Sequence, residues 1–266
     1  MIKEIIDKLV ALLAVSALLA SCSESELWQN PQTEARDGYI MLNFKTEIPA
    51  MQEVVTRAVD PDGGGVQDMT LFCFDSYGLF ISTVKAGVTV QKPGPGEMEG
   101  TFKAEVPENT RTIHFLANQN MDEFKEDSFR NKSESEVMAV LEGSSGRMIY
   151  WGRFACDAGN DSNIAEQMAT SGNSVKLIRN HARISVDNPD NNGHIVITGF
   201  AVCNTNAFGT VAPHHPKKGF DFTWPSSDDP FVTLPVNDAK MSDITDVTSS
   251  MNQYVFECEN SADAPV

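Results

Sequence analysis

Residues 69–84, MTLFCFDSYGLFISTV, decide the fold class. Two apolar, β-prone runs flank Asp75-Ser76-Tyr77-Gly78, and that break reads as a hairpin turn with Gly78 in the positive-φ position. On the C-terminal side, KPGPGEMEG (92–100) is a second turn and GTFKAEV (100–106) alternates apolar with polar. TIHFLAN (112–118) then reads as a buried strand with Ile113, Phe115 and Ala117 in register. On the N-terminal side, YIMLNFKT (39–46) places Ile40, Leu42 and Phe44 on one face and Met41, Asn43 and Lys45 on the other. VVTRAV (54–59) is a further short β run, stopped by Asp60-Pro61-Asp62-Gly63-Gly64-Gly65.

Past this block the period changes. SESEVMAVLEG (133–143) predicts a helix capped by Ser133, with Glu136 as capping-box partner and Val137, Val140 and Leu141 on one face. Residues 157–174 read as a boundary region carrying one short helix. A second β-rich block opens at VKLIRNHARISV (175–186), where Ala182, Ile184 and Val186 alternate with polar positions. It continues through GHIVITGFAVCN (193–204) and YVFE (254–257). Between these, the Pro- and Gly-rich 212–230 reads as a loop. The pattern is all-β, with two blocks of sandwich type.

The 266 residues suit one or two domains, and 41% hydrophobic content suffices for a core. With 20 Lys and Arg against 37 Asp and Glu, the net charge of −17 repels a phosphate backbone, so nucleic acid is not expected as a partner. No apolar run approaches the roughly 20 residues that cross a bilayer. The front end, ALLAVSALLASCSESE (11–26), reads as an export signal: Lys3 and Lys8, then an apolar run from Leu9 to Ala20. Leu19-Ala20-Ser21-Cys22 resembles the bacterial lipobox. The expectation is a signal peptide over 1–21, cleavage between Ser21 and Cys22, and acyl chains on Cys22 that tether the protein to the outer membrane. A flexible linker over 22–36 follows, its Ser23-Glu24-Ser25-Glu26 similar to the acidic tag of surface-displayed lipoproteins. Of the four remaining cysteines, Cys73 and Cys203 sit in apolar strand-like runs and read as buried thiols. Cys156 and Cys258 carry no C-x-x-C spacing, and an exported chain also permits a disulfide.

Motifs that carry chemistry are sparse. The sequence contains no G-x-S-x-G elbow, no H-E-x-x-H and no phosphate loop. Adjacent His214 and His215 point apart on an extended chain and read as solvated loop residues. His114 and His181 alternate against the apolar positions of their strands and are expected at the surface. Asp60, Asp62 and Asp68 lack the register of a calcium loop, and Asp228-Asp229 lack a partner acid. Tyr150-Trp151 offers a sugar-stacking platform in principle, but the pair reads better as core aromatics. No catalytic residue, metal or cofactor is expected.

The order of these segments carries a resemblance. A lipobox is followed by GYIMLNF, VVTRAV, MTLFCFDSYGLFI, TIHFLANQN, MIYWGRF and VKLIRNHARISV, a series over roughly 18–260 that resembles the FimA/Mfa-type fimbrillins of Bacteroidales-like bacteria. The resemblance implies two tandem transthyretin-like β-sandwich domains over 37–171 and 172–266, the second truncated, with LIRNHARISV opening it. It implies a non-enzymatic pilus subunit, lipidated on Cys22, surface-exposed, and assembled with other fimbrial subunits by β-strand exchange. Thr56-Arg57 matches the site at which an arginine-specific protease trims some members, so cleavage between Arg57 and Ala58 would remove the strand around Ile40–Phe44. YVFECEN resembles a family strand that normally leads into further strands, so a longer reading frame beyond Val266 is expected. The alternative reading is a monomeric surface lipoprotein that binds a glycan or a host protein through loops such as 212–230.

Overall fold

The computed structural model describes residues 35–48, 66–93, 98–144, 148–186, 208–215, 218–223 and 252–256, with residues 200, 202 and 206 singly. VVTRAV, the front end through Glu34, and most of GHIVITGFAVCN lie outside the described residues. The described part is all-β, with two short α-helices and one 3-10 turn at Glu126–Ser128. A four-stranded sheet has the order β4-β5-β1-β9 and a five-stranded sheet the order β10-β8-β6-β2-β3. Here β1 is Tyr39–Glu47, β2 Met69–Phe74, β3 Phe80–Lys85, β4 Gly87–Pro93, β5 Met98–Pro107 and β6 Thr112–Ala117. Strand β8 is Tyr150–Ala155, β9 Ser174–Lys176 and β10 Ile178–Arg179.

The predicted hairpin is β2–β3. Asp75 Oδ1 accepts the N–H groups of Tyr77 (2.8 Å) and Leu79 (3.0 Å), and Gly78 takes φ +72°. The two sheets face each other through the alternating positions: Ile40, Leu42 and Phe44 of β1 and Phe102, Ala104 and Val106 of β5 meet Leu71, Cys73, Ile113, Phe115 and Ala117. Phe44 sits at the centre, stacked on Phe102 (5.5 Å) and edge-on to Phe115 (5.0 Å).

The five-stranded sheet is buried on both faces. Its outer face carries Phe72, Phe74, Phe80, Leu116 and Trp151, covered by Val137, Met138 and Leu141, by Phe124 and Phe129, and by Val211, Ala212, Phe220 and Phe222. That is why MTLFCF and TIHFLA are buried at every position. It also corrects the expectation for His114, which is 0% exposed; His181, likewise expected at the surface, is 7% exposed because it lies against the Phe256 ring. The face opposite the sandwich core is a second core, closed by segments distant in sequence. Helix α1 (Glu134–Met138) starts on the predicted Ser133–Glu136 capping box. It ends after five residues, so Met138 joins Val137 and Leu141 in the core while Val140 is 49% exposed, against expectation. The predicted short helix is α2 (Ile164–Thr170), opened by an Asn163–Glu166 capping box.

At both edges of the sandwich the chain passes from one sheet to the other. Strands β3 and β4 are separated only by Ala86, and β9 and β10 only by Leu177. Gly152 of β8 makes the second crossing possible, since a Cβ there would lie 2.5 Å from the Lys176 carbonyl and 2.8 Å from Leu177 Cδ2. LIRNHARISV is therefore divided: Ile178–Arg179 pairs with β8, whereas β11 (Ala182–Ser185) pairs with β15 (Asn252–Val255). The expected boundary at 171/172 falls in the turn between α2 and β9, where Gly172 and Asn173 have φ +76° and +54°. Strand β7 (Glu142–Ser144) pairs with β12 (Phe208–Thr210), joining the late part of the chain to the sandwich. The 212–230 segment is not wholly loop: β13 (His214–His215) and β14 (Gly219–Phe220) form a small hairpin.

Candidate functional site

Strand β1 is the first strand among the described residues and lies inside its sheet. It runs antiparallel to β5 over eight pairs, from Tyr39↔Pro107 to Thr46↔Gly100. On its other side it runs parallel to β9 over three, from Lys45↔Ser174 to Glu47↔Lys176. Lys45 N–H to the Asn173 carbonyl (2.7 Å) and Leu177 N–H to the Glu47 carbonyl (2.8 Å) extend that second side. Helix α2 packs against β1, and its Ile164, Ala165 and Met168 enter the same core. Burial of Ile40, Leu42 and Phe44 contributes roughly 1.5–3 kcal/mol each. One inward position fits poorly: Thr46 is fully buried and its hydroxyl has no hydrogen-bond partner.

The start of β1 is held by a turn. Tyr39 N–H donates to the Arg36 carbonyl (3.0 Å), Gly38 takes φ +77°, and Glu108 N–H donates to the Gly38 carbonyl (3.0 Å). Arg36 pairs with Glu105 (2.7 Å) and lies 4.3 Å over the Tyr39 ring. The pair is exposed and adds at most about 1 kcal/mol. Strand β1 connects to β2 of the opposite sheet through residues 49–65, the segment that contains Arg57. A slot of strand width, lined by Phe102, Ala104, Val106, Phe115 and Val175, would remain if β1 left.

Titratable groups gather on the outer face of the five-stranded sheet. His114 Nε2–H donates to Glu134 Oε2 (2.6 Å), and Trp151 Nε1–H donates to His114 Nδ1 (3.0 Å). Arg153 forks onto the same carboxylate at 2.7 and 3.1 Å. The Trp151 bond fixes the neutral imidazole with its proton on Nε2, and burial pushes the His114 pKa down. Burial works against the Glu134 charge, yet the hydrogen bonds from His114 and Arg153 outweigh it and hold the carboxyl at about 2. Phe222 closes the cluster edge-on over His114 at 4.7 Å. A His–carboxylate pair resembles part of a catalytic triad, but the second imidazole nitrogen accepts from the Trp151 indole N–H, not from a hydroxyl or thiol. The cluster pins α1, β6, β8 and residues 220–222 together.

A second junction is built on two glycines. Gly143 of β7 and Gly209 of β12 are register partners, and the Phe256 ring lies against both. A Cβ on Gly209 would come 2.3 Å from Phe256 Cδ1. His181 covers the ring at 4.0 Å and donates from Nδ1 to Asn180 Oδ1 (2.7 Å), which also accepts the Ile149 N–H (3.1 Å). Burial lowers the His181 pKa to about 4.

Ser21, Cys22, Arg57 and Ala58 lie outside the described residues, as do Cys203, Cys258, Asp60, Asp62 and Asp228-Asp229. Cys73 is a free, fully buried thiol whose pKa burial pushes up to about 12, as its apolar run implies. Cys156 is free and partly buried. Asp68 holds a strand end, its carboxylate accepting the Asn118 N–H at 2.9 Å. Tyr150 and Trp151 are core residues, 0% and 1% exposed. Among the described residues, no three His, Cys, Asp or Glu side chains gather as a metal site would require. Sequence reasoning missed the His114 cluster and the Phe256 seat. The pairing of Gly143 with Gly209 across 66 residues leaves no local signal, whereas Glu134 at the helix start was visible.

No family model matches the sequence, and no curated protein matches it. Solved structures do. A fimbrial assembly protein of Parabacteroides distasonis is 12% identical, covering 85% of this chain and 79% of its own, with TM-score 0.40. A candidate cell-adhesion protein of the same organism is 14% identical, covering 84% and 72%, with TM-score 0.44. A candidate cell-adhesion protein of Bacteroides eggerthii is 11% identical, covering 84% and 72%, with TM-score 0.37.

Proposed function

We propose that this chain is a non-enzymatic fimbrial subunit in which β1 is the exchangeable strand. The observation that carries the reading is the position of β1: first among the described strands, interior in its sheet, and joined to the rest by the segment holding Arg57. Removal of such a strand leaves unpaired backbone groups and an apolar slot that a strand from another subunit completes. Its direction is prescribed, antiparallel to β5 and parallel to β9. The sheet edges suit strand addition less well: β9 has three residues, β10 two, and β4 a register shift at Val88/Val90 before Pro93, while the outer side of β3 is taken up by Phe80 N–H to the Lys132 carbonyl (2.8 Å) and Thr83 N–H to Glu126 Oε2 (3.1 Å).

In this reading Cys22 is acylated on sulfur, becomes the first mature residue on cleavage at Ser21–Cys22, and carries the precursor to the outer membrane. Cleavage between Arg57 and Ala58 then separates tether and first strand from the body. The residues after β10 then form part of a second sandwich, since β9 and β10 (Ser174–Arg179) pair within the first. N-terminal sequencing of surface-assembled material is the test: chains beginning at Ala58 support the reading, and polymers made only of full-length Cys22-acylated chain refute cleavage. The loop-binding alternative has less support, because Val211 and Ala212 are buried and Phe220 and Phe222 are committed to the second core. A mature protein that stays monomeric after proteolysis yet binds a glycan array would restore it.

A further inference from the structure

A cut in residues 49–65 breaks a covalent link and none of the contacts described for β1. Every pair between β1 and β5, every bond to the β9 side, and the burial of Ile40, Leu42 and Phe44 remain after the cut. We propose that β1 stays seated in the cut protein and leaves only when another strand displaces it, starting at the Tyr39 end. This inference rests on the strand-exchange reading for its consequence, but not for its test.

The starting end follows from the pairing. Among the described residues, β1 from Tyr39 to Phe44 is paired to β5 alone, whereas Lys45–Glu47 is paired on both sides. The partner of Tyr39 is Pro107, which has no N–H to give. The far end is tied further by Ser174 Oγ–H to Glu47 Oε1 (2.5 Å). What holds the near end is the Arg36–Tyr39 turn, with Gly38 at φ +77° and nothing within 4 Å of where its Cβ would be. An incoming strand therefore finds β5 most accessible beside Tyr39 and advances toward the doubly paired end. Chain cleavage makes the subunit competent; the arriving strand opens it.

The test uses the chain from Ser23 onward with a sequence-specific protease site replacing Asp60–Gly65, so that the cut does not depend on Arg57. After cutting, size-exclusion chromatography in native buffer is expected to show the N-terminal fragment co-eluting with the body, and the two separating only in denaturant. A fluorescent peptide of residues 38–48 is then expected to enter the cut protein slowly and the uncut protein not at all. Gly38→Ala strains the near-end turn and is expected to speed uptake about tenfold. Ser174→Ala, at the far end, is expected to leave the rate within about twofold, the size of one exposed contact. Spontaneous shedding of the fragment overturns the inference and leaves strand exchange standing. Faster uptake in Ser174→Ala than in Gly38→Ala overturns the starting end. Retention without uptake supports the seating and refutes exchange.

Discussion

At Gly209 a single methyl group would occupy the place of the Phe256 ring, and at Gly143 it would meet Asn180 Nδ2 at 2.3 Å. Gly209→Ala is therefore expected to destabilise by about 1–3 kcal/mol, measured by urea unfolding, although Gly209 is an unremarkable strand residue in sequence. The buried histidines set a pH dependence of one sign. His114 and His181 have folded pKa values below 6.5, so the unfolded chain binds more protons and stability falls as pH drops below that value. For His181, with a folded pKa of about 4, the loss between pH 6.5 and 4 is on the order of 3 kcal/mol. Glu134, held at about 2, adds a loss of the same sign as pH falls below 4.5. The urea midpoint should fall steadily from pH 7 to pH 4, and His181→Gln should flatten that slope. A flat wild-type profile would contradict the burial of both rings.

At the scale of elements, local signals were legible and coverage was not. Ser133 and Glu136 announced α1, and Ser133→Ala is expected to cost about 1 kcal/mol, read from the thermal midpoint. Asn163-x-x-Glu166 carries the same signal for α2, and it sits inside a polar run that reads as a boundary. Alternation in β1 gave its inward face, with Thr46 continuing the line of Ile40, Leu42 and Phe44. Because its hydroxyl is buried without a partner, Thr46→Val should stabilise the fold by about 1 kcal/mol and slow peptide uptake after cutting. Alternation misled at His114, whose outward face would be solvated in a lone sandwich. It is covered by α1 and by Phe222, 108 residues on, and no periodicity within β6 could report them.

For the whole molecule, strand existence was readable but sheet membership was not. Hairpin logic would place β3 beside β4 and β9 beside β10, whereas each pair is divided between sheets by a crossing at Ala86 or Leu177. Such crossings depend on contacts like that of Gly152 with the Lys176 carbonyl, which only the assembled sandwich supplies. A protein lacking residues 1–48 is expected to self-associate through its empty slot and to become monodisperse when the 38–48 peptide is added. Analytical ultracentrifugation with and without peptide measures this, and a monodisperse truncated protein alone would count against the slot. The geometry of β1 also has a mechanical consequence. If the strand in that position links one subunit to the next, tension along the fibre acts parallel to the strand. All eight pairs with β5 then resist sliding together, in shear, instead of opening one at a time like a zipper. A link loaded in that direction keeps its strength under pull while remaining exchangeable when no force is applied.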